Sequence, residues 1–532
     1  MNQTFSRRLA VLNNTAPKGI FKRNKVGLEK ESLRVAPGGS LAQTPHPQNL
    51  GAALTHPHIT TDYSEALLEF VTPALHSKQE VLKFLSDCQA FVYQQMEDEF
   101  LWSTSMPCVL AGETSIPIAQ YGSSNLGTMK TVYRRGLGHR YGRVMQVIAG
   151  VHYNFSFSDE FWEWFIESEK SILNQQDFIS DYYFRAIRNF QRIGWLIPYL
   201  FGASPAVCKS FLYGQTTDME SFDESTFYYP HATSLRMGDI GYQNNIENAS
   251  GISINYDNLQ SYINSLAHAI STPFEPYEKI GVKSSEAYQQ LSSNLLQIEN
   301  EYYSSVRPKQ ICPPHEMPIN GLKNRGVSYI ELRSLDVNAF EPTGIHDKAL
   351  CFLETLVLYC LLQPSPAITD KEHEIISSNL VKVAHKGREP GLKLMHMSGE
   401  KTLNEWAKEI FTGLTDVAHL LDANSDCDSF SKAVSHYLPR VDNPDETPSA
   451  RMLAEMKKNG EGFYHFALRK SQEHSRYFKG LQLTDEQYQF FKTLSKESLE
   501  KQKNIESSDE MSFDEFLTNY FSQNLKDYSH VM

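Results

Sequence analysis

VGLEKESLRV, residues 26–35, has the pattern of a β-strand that keeps its acidic charges on one side. Its ends are apolar, it contains no proline, and Glu29 and Glu31 stand two residues apart. Side chains alternate between the two faces of a strand, so both carboxylates project the same way. Like charges so placed repel, and a sheet that keeps them usually holds a cation beside them. Hard cations such as Mg2+ take oxygen ligands and bridge one or two carboxylates to a phosphate. The alternative is a solvated strand face on which Lys30 and Arg34 are ordinary surface charges.

Three later stretches carry related patterns. In YIELRSL (329–335), Ile330 and Leu332 oppose Glu331 and Arg333. In GVHYNFSF (150–157), Val151, Tyr153, Phe155 and Phe157 oppose His152, Asn154 and Ser156. Both have the period of a sheet with one face in the core. In ALLEFVT (66–72), Glu69 sits in an otherwise apolar strand. Four strands bearing groups suited to metal or phosphate predict a polar basin on one sheet.

The spacing bounds the architecture. If Glu29 and Arg333 share a site, about 300 residues of chain build one domain, as large enzymes do. The prediction is one catalytic chain over 1–532, with a sheet-bearing core at about 20–345 and a mainly helical part at about 346–532. Strands concentrated in the first two thirds, without βαβ alternation, predict the α+β class. Apolar residues make up 41% of the 532, enough for a sizeable core. The net charge of −13, with no long basic run, argues against nucleic acid or an anionic membrane as partner. Seven scattered cysteines without a CxxC pair argue against a zinc site or a disulfide framework, so a reduced, cytoplasmic protein is expected. The longest apolar stretch, Cys351–Leu362, is too short to span a bilayer.

Local patterns add detail. Lys78–Phe100 has helical spacing and Thr128–Gly142 reads as a short basic helix. Met219–Tyr242 reads as loop and turn, and the last 30 residues are polar and acidic, so the extreme terminus is expected to fray. GSSNLGTMK (122–130) has two glycines at P-loop spacing but lacks the Lys-Ser/Thr that follows the second, so it reads as a flexible loop. GLGHRYG (136–142) is not a dinucleotide fingerprint, and there is no HExxH or GxSxG. A nucleotide bound here therefore needs its phosphates held by carboxylate-bound metal.

Several longer stretches carry a resemblance: GLEKESLRV (27–35), ALTHPHITTDYSEALLEFVTP (53–73), IAQYGSSNLGTMKTVYRRGL (118–137), GVHYNFS (150–156), PYLFGASPAVC (198–208), HATSLRMGDIGY (231–242), LQIENEYYSSVRPK (296–309) and YIELRSLDVNAF (329–340). Through them the chain resembles the glutamate–cysteine ligases (γ-glutamylcysteine synthetases) of gamma-proteobacterial type. These make the first intermediate of glutathione synthesis. The resemblance implies a glutamine-synthetase-like antiparallel sheet forming a funnel surrounded by helices. It implies ATP as co-substrate and Mg2+, with glutamate and cysteine as the other substrates. Glu29, Glu31, Glu69 and Glu331 would be magnesium ligands, with Asp62 and His152 close by. Arg333 would hold the terminal phosphate of ATP. Gln146, Asn154 and Arg236 would line the glutamate site; Tyr133, Leu137, Tyr242 and Tyr303 the cysteine site. Glutathione is the expected feedback inhibitor, and the chain is expected to be a monomer without nucleic-acid or membrane partners.

The residues themselves lead to similar chemistry. An amide does not form from a carboxylate and an amine in water without activation, and phosphorylating the carboxylate brings two anions together. Their repulsion is about 1 kcal/mol at 4 Å in water and several-fold more in a dry site. Divalent metal and one arginine relieve it, and four acidic ligands suit two or three magnesium ions. Each residue also has a plainer role open to it. The three tyrosines could be core aromatics, and His152 a satisfied hydrogen-bonding histidine. Arg236 could pair with Asp239, and Glu65 could be a surface charge or a helper to Asp62. A ligase using another amine, a metal-dependent hydrolase and a non-catalytic binding protein are the competing functions. Arg333 beside Glu331 favours phosphoryl transfer over hydrolysis.

Overall fold

Lys25–Val35 forms β1, the longest strand among the described residues and the centre of the main sheet. The protein, seen as a computed structural model, is described over residues 3–241, 253–285, 287–425 and 427–523. β1 pairs on one side with β3 (Leu67–Val71), beyond which lies β2 (Ile59–Thr61). The short β4 (Phe100–Leu101) pairs with the end of β1. On its other side β1 pairs with β5 (Gly150–Ser156). Then come β7 (Tyr329–Asp336) and the edge strand β6 (Val306–Lys309). The order is β6-β7-β5-β1-β3-β2, and every pairing is antiparallel. The α+β expectation holds, because the sheet is assembled from strands far apart in sequence rather than from βαβ units.

One face of this sheet is core. Leu28, Tyr153, Phe155, Ile330 and Leu332 are buried there. α2 (Lys78–Gln95) packs on β1 and β3, and the helix Asp347–Leu362 packs on α2 and reaches Tyr153. Asp347–Leu362 is apolar nearly all round, as a helix buried on every side must be. Tyr153 Oη donates to the Leu350 carbonyl at 3.4 Å, and Glu354 pairs with Lys78 at 2.5 Å. The first helix, α1 (Gln3–Thr15), is tied in by Arg8, which grips Glu169 at 2.9 Å. The hydrophobic core is continuous from Phe5 to Tyr520.

Some sequence expectations are corrected. Lys30 and Arg34 are not surface charges: both point rearward and are buried. Lys30 Nζ donates to Gln89 at 2.5 Å, and Arg34 pairs with Glu99 at 2.6 Å. The stretch 122–130, expected as a flexible loop, is largely helix, since α3 runs Asn125–Tyr141 with Ser124 capping it by accepting the Gly127 N–H at 3.1 Å. The segment 219–242 includes part of a small three-stranded sheet: Thr226–Tyr228 is its central strand, pairing with Glu220–Ser221 on one side and with Ala206–Cys208 on the other. A hairpin, Lys393–His396 with Gly399–Thr402, interrupts the helical C-terminal part. Within the acidic end Phe513–Phe521 is a helix with a reciprocal Ser512–Glu515 cap, and the extreme terminus expected to fray lies outside the described residues. The cysteines are not all reduced, for Cys108 and Cys208 form a disulfide across 100 residues. Tertiary folding brings the loop after β4 to the strand Ala206–Cys208, and no local spacing announces it. No helix among the described residues is long and apolar enough to cross a membrane.

Candidate active site

The other face of the sheet is the floor of a cavity of about 420 Å³, flanked by α3. Strand alternation brings Glu29, Glu31, Glu69, His152, Glu331 and Arg333 into it, with Asp62 from the turn after β2. Register does the rest: Glu29 lies opposite His152, and Glu31 opposite Glu69. His152 sits at the centre. Its Nδ1 is 3.2 Å from Glu29 Oε2, 3.5 Å from Glu331 Oε1 and 3.5 Å from Arg333 Nη1. Its Nε2 is 3.8 Å from Glu31 Oε1. Arg333 donates to Glu331 Oε1 at 2.9 Å, and the backbone N–H of Gly150 donates to Glu31 Oε2 at 2.6 Å.

The carboxylates differ in charge state because their surroundings differ. Burial, and then the charge of Asp62, pushes Glu31 up to about 8. Burial, with Glu29, Asp62 and Glu31 as like charges, holds Glu69 well above the usual carboxylate range. Burial also raises Glu331, but Lys309 and then Arg333 outweigh it and hold that group well below the usual carboxylate range. Glu29 is lowered as well, burial being overcome chiefly by the hydrogen bond with His152. Burial and the neighbouring Arg333 hold His152 down, so it is neutral.

A divalent cation suits this donor set. Glu29, His152 and Glu331 offer ligand atoms within 4.8 Å of one another. Among the described residues the buried Glu331 Oε2 makes no hydrogen bond, and Lys309 Nζ lies 3.4 Å from it. The crowding that raises Glu31 and Glu69 is the repulsion that a hard, oxygen-seeking cation relieves.

The remaining predicted residues are placed as follows. Gln146, on the turn Met145–Val147, lines the cavity. Tyr133 and Leu137, one helical turn apart on α3, line it with Tyr303. Asn154 touches Glu29 instead of the cavity wall, donating to its Oε1 at 2.9 Å. Arg236 is also off the wall. It is buried, donates to the Arg333 carbonyl at 2.8 Å, and lies 3.9 Å from Asp336. Asp239 pairs with His385 at 3.0 Å. Glu65 is neither a surface charge nor a partner of Asp62: it accepts the N–H groups of His46 and Gln120, each at 2.8 Å. Tyr242 lies outside the described residues.

Sequence reasoning missed four cations of the wall: Lys130 and Arg134 on α3, and Arg307 and Lys309 on β6. The last two stand two apart in VRPK, the same signal that marked Glu29 and Glu31. Arg134 donates through Nε to the Asp62 carbonyl, and its guanidinium lies 4.6 Å over the Tyr121 ring.

Comparison with known proteins places the chain in a family. The family model for glutamate–cysteine ligase matches residues 9–383. A glutamate–cysteine ligase of Alcanivorax borkumensis is 47% identical over 520 residues, 97% of this chain and 98% of its own. One of Pseudomonas putida is 46% identical over 521 residues, 98% of each chain. Among solved structures, the glutamate–cysteine ligase of Francisella tularensis in complex with AMP matches with a TM-score of 0.88 at 36% identity, over 94% of this chain and 97% of that one. A bifunctional glutathione synthetase from Pasteurella multocida shares the fold, with a TM-score of 0.72 at 23% identity over 92% of this chain and 57% of its own. The chain belongs to the glutamate–cysteine ligase family.

Proposed function

We propose that this cavity joins the γ-carboxylate of glutamate to the amino group of cysteine at the expense of ATP, through γ-glutamyl phosphate. The observation that carries the reading is the convergence of Glu29, His152, Glu331 and Arg333, from three strands, on one point of a walled cavity. Glu29, Glu31, Glu69 and Glu331 would hold magnesium, two or three ions, with Asp62 and His152 beside them. Held by these residues, magnesium would supply positive charge against that of the phosphates and of the incoming carboxylate. Arg333 faces the same point and would hold the phosphoryl group in transfer, its Glu331 partner fixing its aim. Gln146, Asn154 and Arg236 would orient glutamate.

The second half-reaction needs water kept out, because an acyl phosphate hydrolyses. Tyr133, Leu137 and Tyr303 would form the wall that receives cysteine and excludes water. The amine then attacks the acyl carbon, phosphate leaves, and the amine proton is lost. In the same reading the chain is a cytoplasmic monomer inhibited by glutathione.

Phosphate release tests this against its rivals. With ATP, glutamate and Mg2+, release should rise strongly on adding cysteine and less on adding other amines. Equal release with and without any amine would instead mark a hydrolase.

A further inference from the structure

On the strands of the floor charge is segregated, while Lys130 and Arg134 of α3 and the carboxylates of Glu301 and Glu316 line the rest of the cavity. Glu31, Glu69 and Asp62 lie toward the β3–β2 side; Arg333, Arg307 and Lys309 lie on β7 and β6. Arg307 pairs directly with Glu331 across the two strands. Alternation therefore places Arg307 and Lys309, and Arg333 on the next strand, on the cavity face. Lys309 Nζ is 3.4 Å from Glu331 Oε2. Arg307 makes no ion pair among the described residues. Its Nη2 donates to two backbone carbonyls, those of Asn300 at 3.0 Å and of Tyr302. Those bonds fix the guanidinium without neutralising it. Burial and then the nearby Arg333 disfavour its charge, Glu331 across the strand favours it, and no carboxylate among the described residues is bonded to it.

A half-buried, rigidly held guanidinium with no carboxylate bonded to it among the described residues is arranged for an anion that comes and goes. Its neighbours decide which anion. The carboxylate of an amino acid carries a single charge, whereas a nucleoside polyphosphate carries several in a row. A row of three cations leading to Glu331 matches the second. We propose that Arg307 and Lys309 hold the phosphates of the nucleotide that are not transferred, while Arg333 holds the one that is. The nucleotide then lies across β6 and β7, entering from the basic edge of the sheet. This rests on the reading that ATP is the phosphoryl donor.

The test is calorimetric binding of ADP and of adenosine, with Mg2+ and without amino acids, to wild type, Arg307→Gln, Arg307→Lys and Lys309→Met. Steady-state KM values for ATP, glutamate and cysteine accompany it. ADP affinity should fall about ten- to a hundredfold in Arg307→Gln, the range for losing a charge-assisted hydrogen bond. Arg307→Lys should recover part of the loss, and adenosine binding should not change. Lys309→Met removes no backbone contact and should weaken ADP in the same sense even if Arg307→Gln folds poorly. ADP binding equal to wild type in folded Lys309→Met and Arg307→Lys would overturn the proposal. So would a rise confined to the KM of cysteine or glutamate, which would mean that Arg307 holds a substrate carboxylate. Failure of wild type itself to bind ADP would instead strike at ATP as donor, and the proposal with it.

Discussion

Glu331 is the residue on which the site's forces meet. Its Oε1 accepts from Arg333, and its Oε2 faces Lys309 without a hydrogen bond. Replacing it with glutamine keeps the shape and removes the charge. Glu331→Gln and Glu29→Gln should each lose most turnover and shift the magnesium dependence upward, with the circular dichroism spectrum unchanged. Activity of either variant at low magnesium equal to wild type would remove that residue from the metal site. At this scale the acidic residues were legible in the sequence, because two carboxylates two apart on a strand demand an explanation. Arg307 and Lys309 carry the same spacing but no such demand. Cations on a strand are ordinary until the register sets them beside Glu331. Arg236 is a different case: its placement behind Arg333, with Asp336, depends on a contact across about a hundred residues.

Among the elements, β5 and β7 do the aiming. Their pairing is irregular between Leu332 and Leu335, and such irregularities re-aim side chains next to active sites. Arg333 stands in this interval, held on its other side by its N–H to the Ser305 carbonyl at 2.8 Å. At the start of β5, Gly150 gives its N–H to Glu31, and a Cβ there would collide with Arg236 Nη2. The glycine is required by that close approach. Gly150→Ala should therefore displace Arg236 and raise KM for glutamate about tenfold or more, since small misplacements in a site are expensive. The affinity for ADP should hold. A variant with unchanged glutamate kinetics would show that Arg236 is free to move without consequence. Strands β1, β5 and β7 were visible from period-two patterning. The irregularity in β7, the start of α3 at Asn125 and the docked helix Phe513–Phe521 were not, since each depends on partners from elsewhere in the chain. Asn125, for example, donates its side-chain N–H to the Met511 carbonyl at 3.0 Å.

For the whole molecule, buried histidines tie stability to pH. Burial holds His46, His346 and His474 down at about 4 and His56 at about 3. His56 must be neutral on geometry alone, because its Nδ1 accepts the N–H groups of Ile59 at 2.9 Å and His58 at 3.1 Å. In the unfolded chain these groups titrate near 6.5. Between about 6.5 and 4 the unfolded state thus binds more protons, and stability falls as pH falls. Each histidine contributes a loss of up to about 2 kcal/mol between pH 6.5 and 5. Urea unfolding at the two pH values should show this loss, and His56→Gln should reduce it. Equal stability at both would contradict the burial of these rings. The α+β class and the single polar basin were readable from spacing; the Cys108–Cys208 bond was not, because only the folded chain brings its halves together. The most direct test of the central claim follows the oxygen atoms of the whole reaction. With 18O in the γ-carboxylate of glutamate, and ATP and cysteine supplied, one labelled oxygen should pass to each phosphate released. Phosphate without label would contradict γ-glutamyl phosphate as the intermediate.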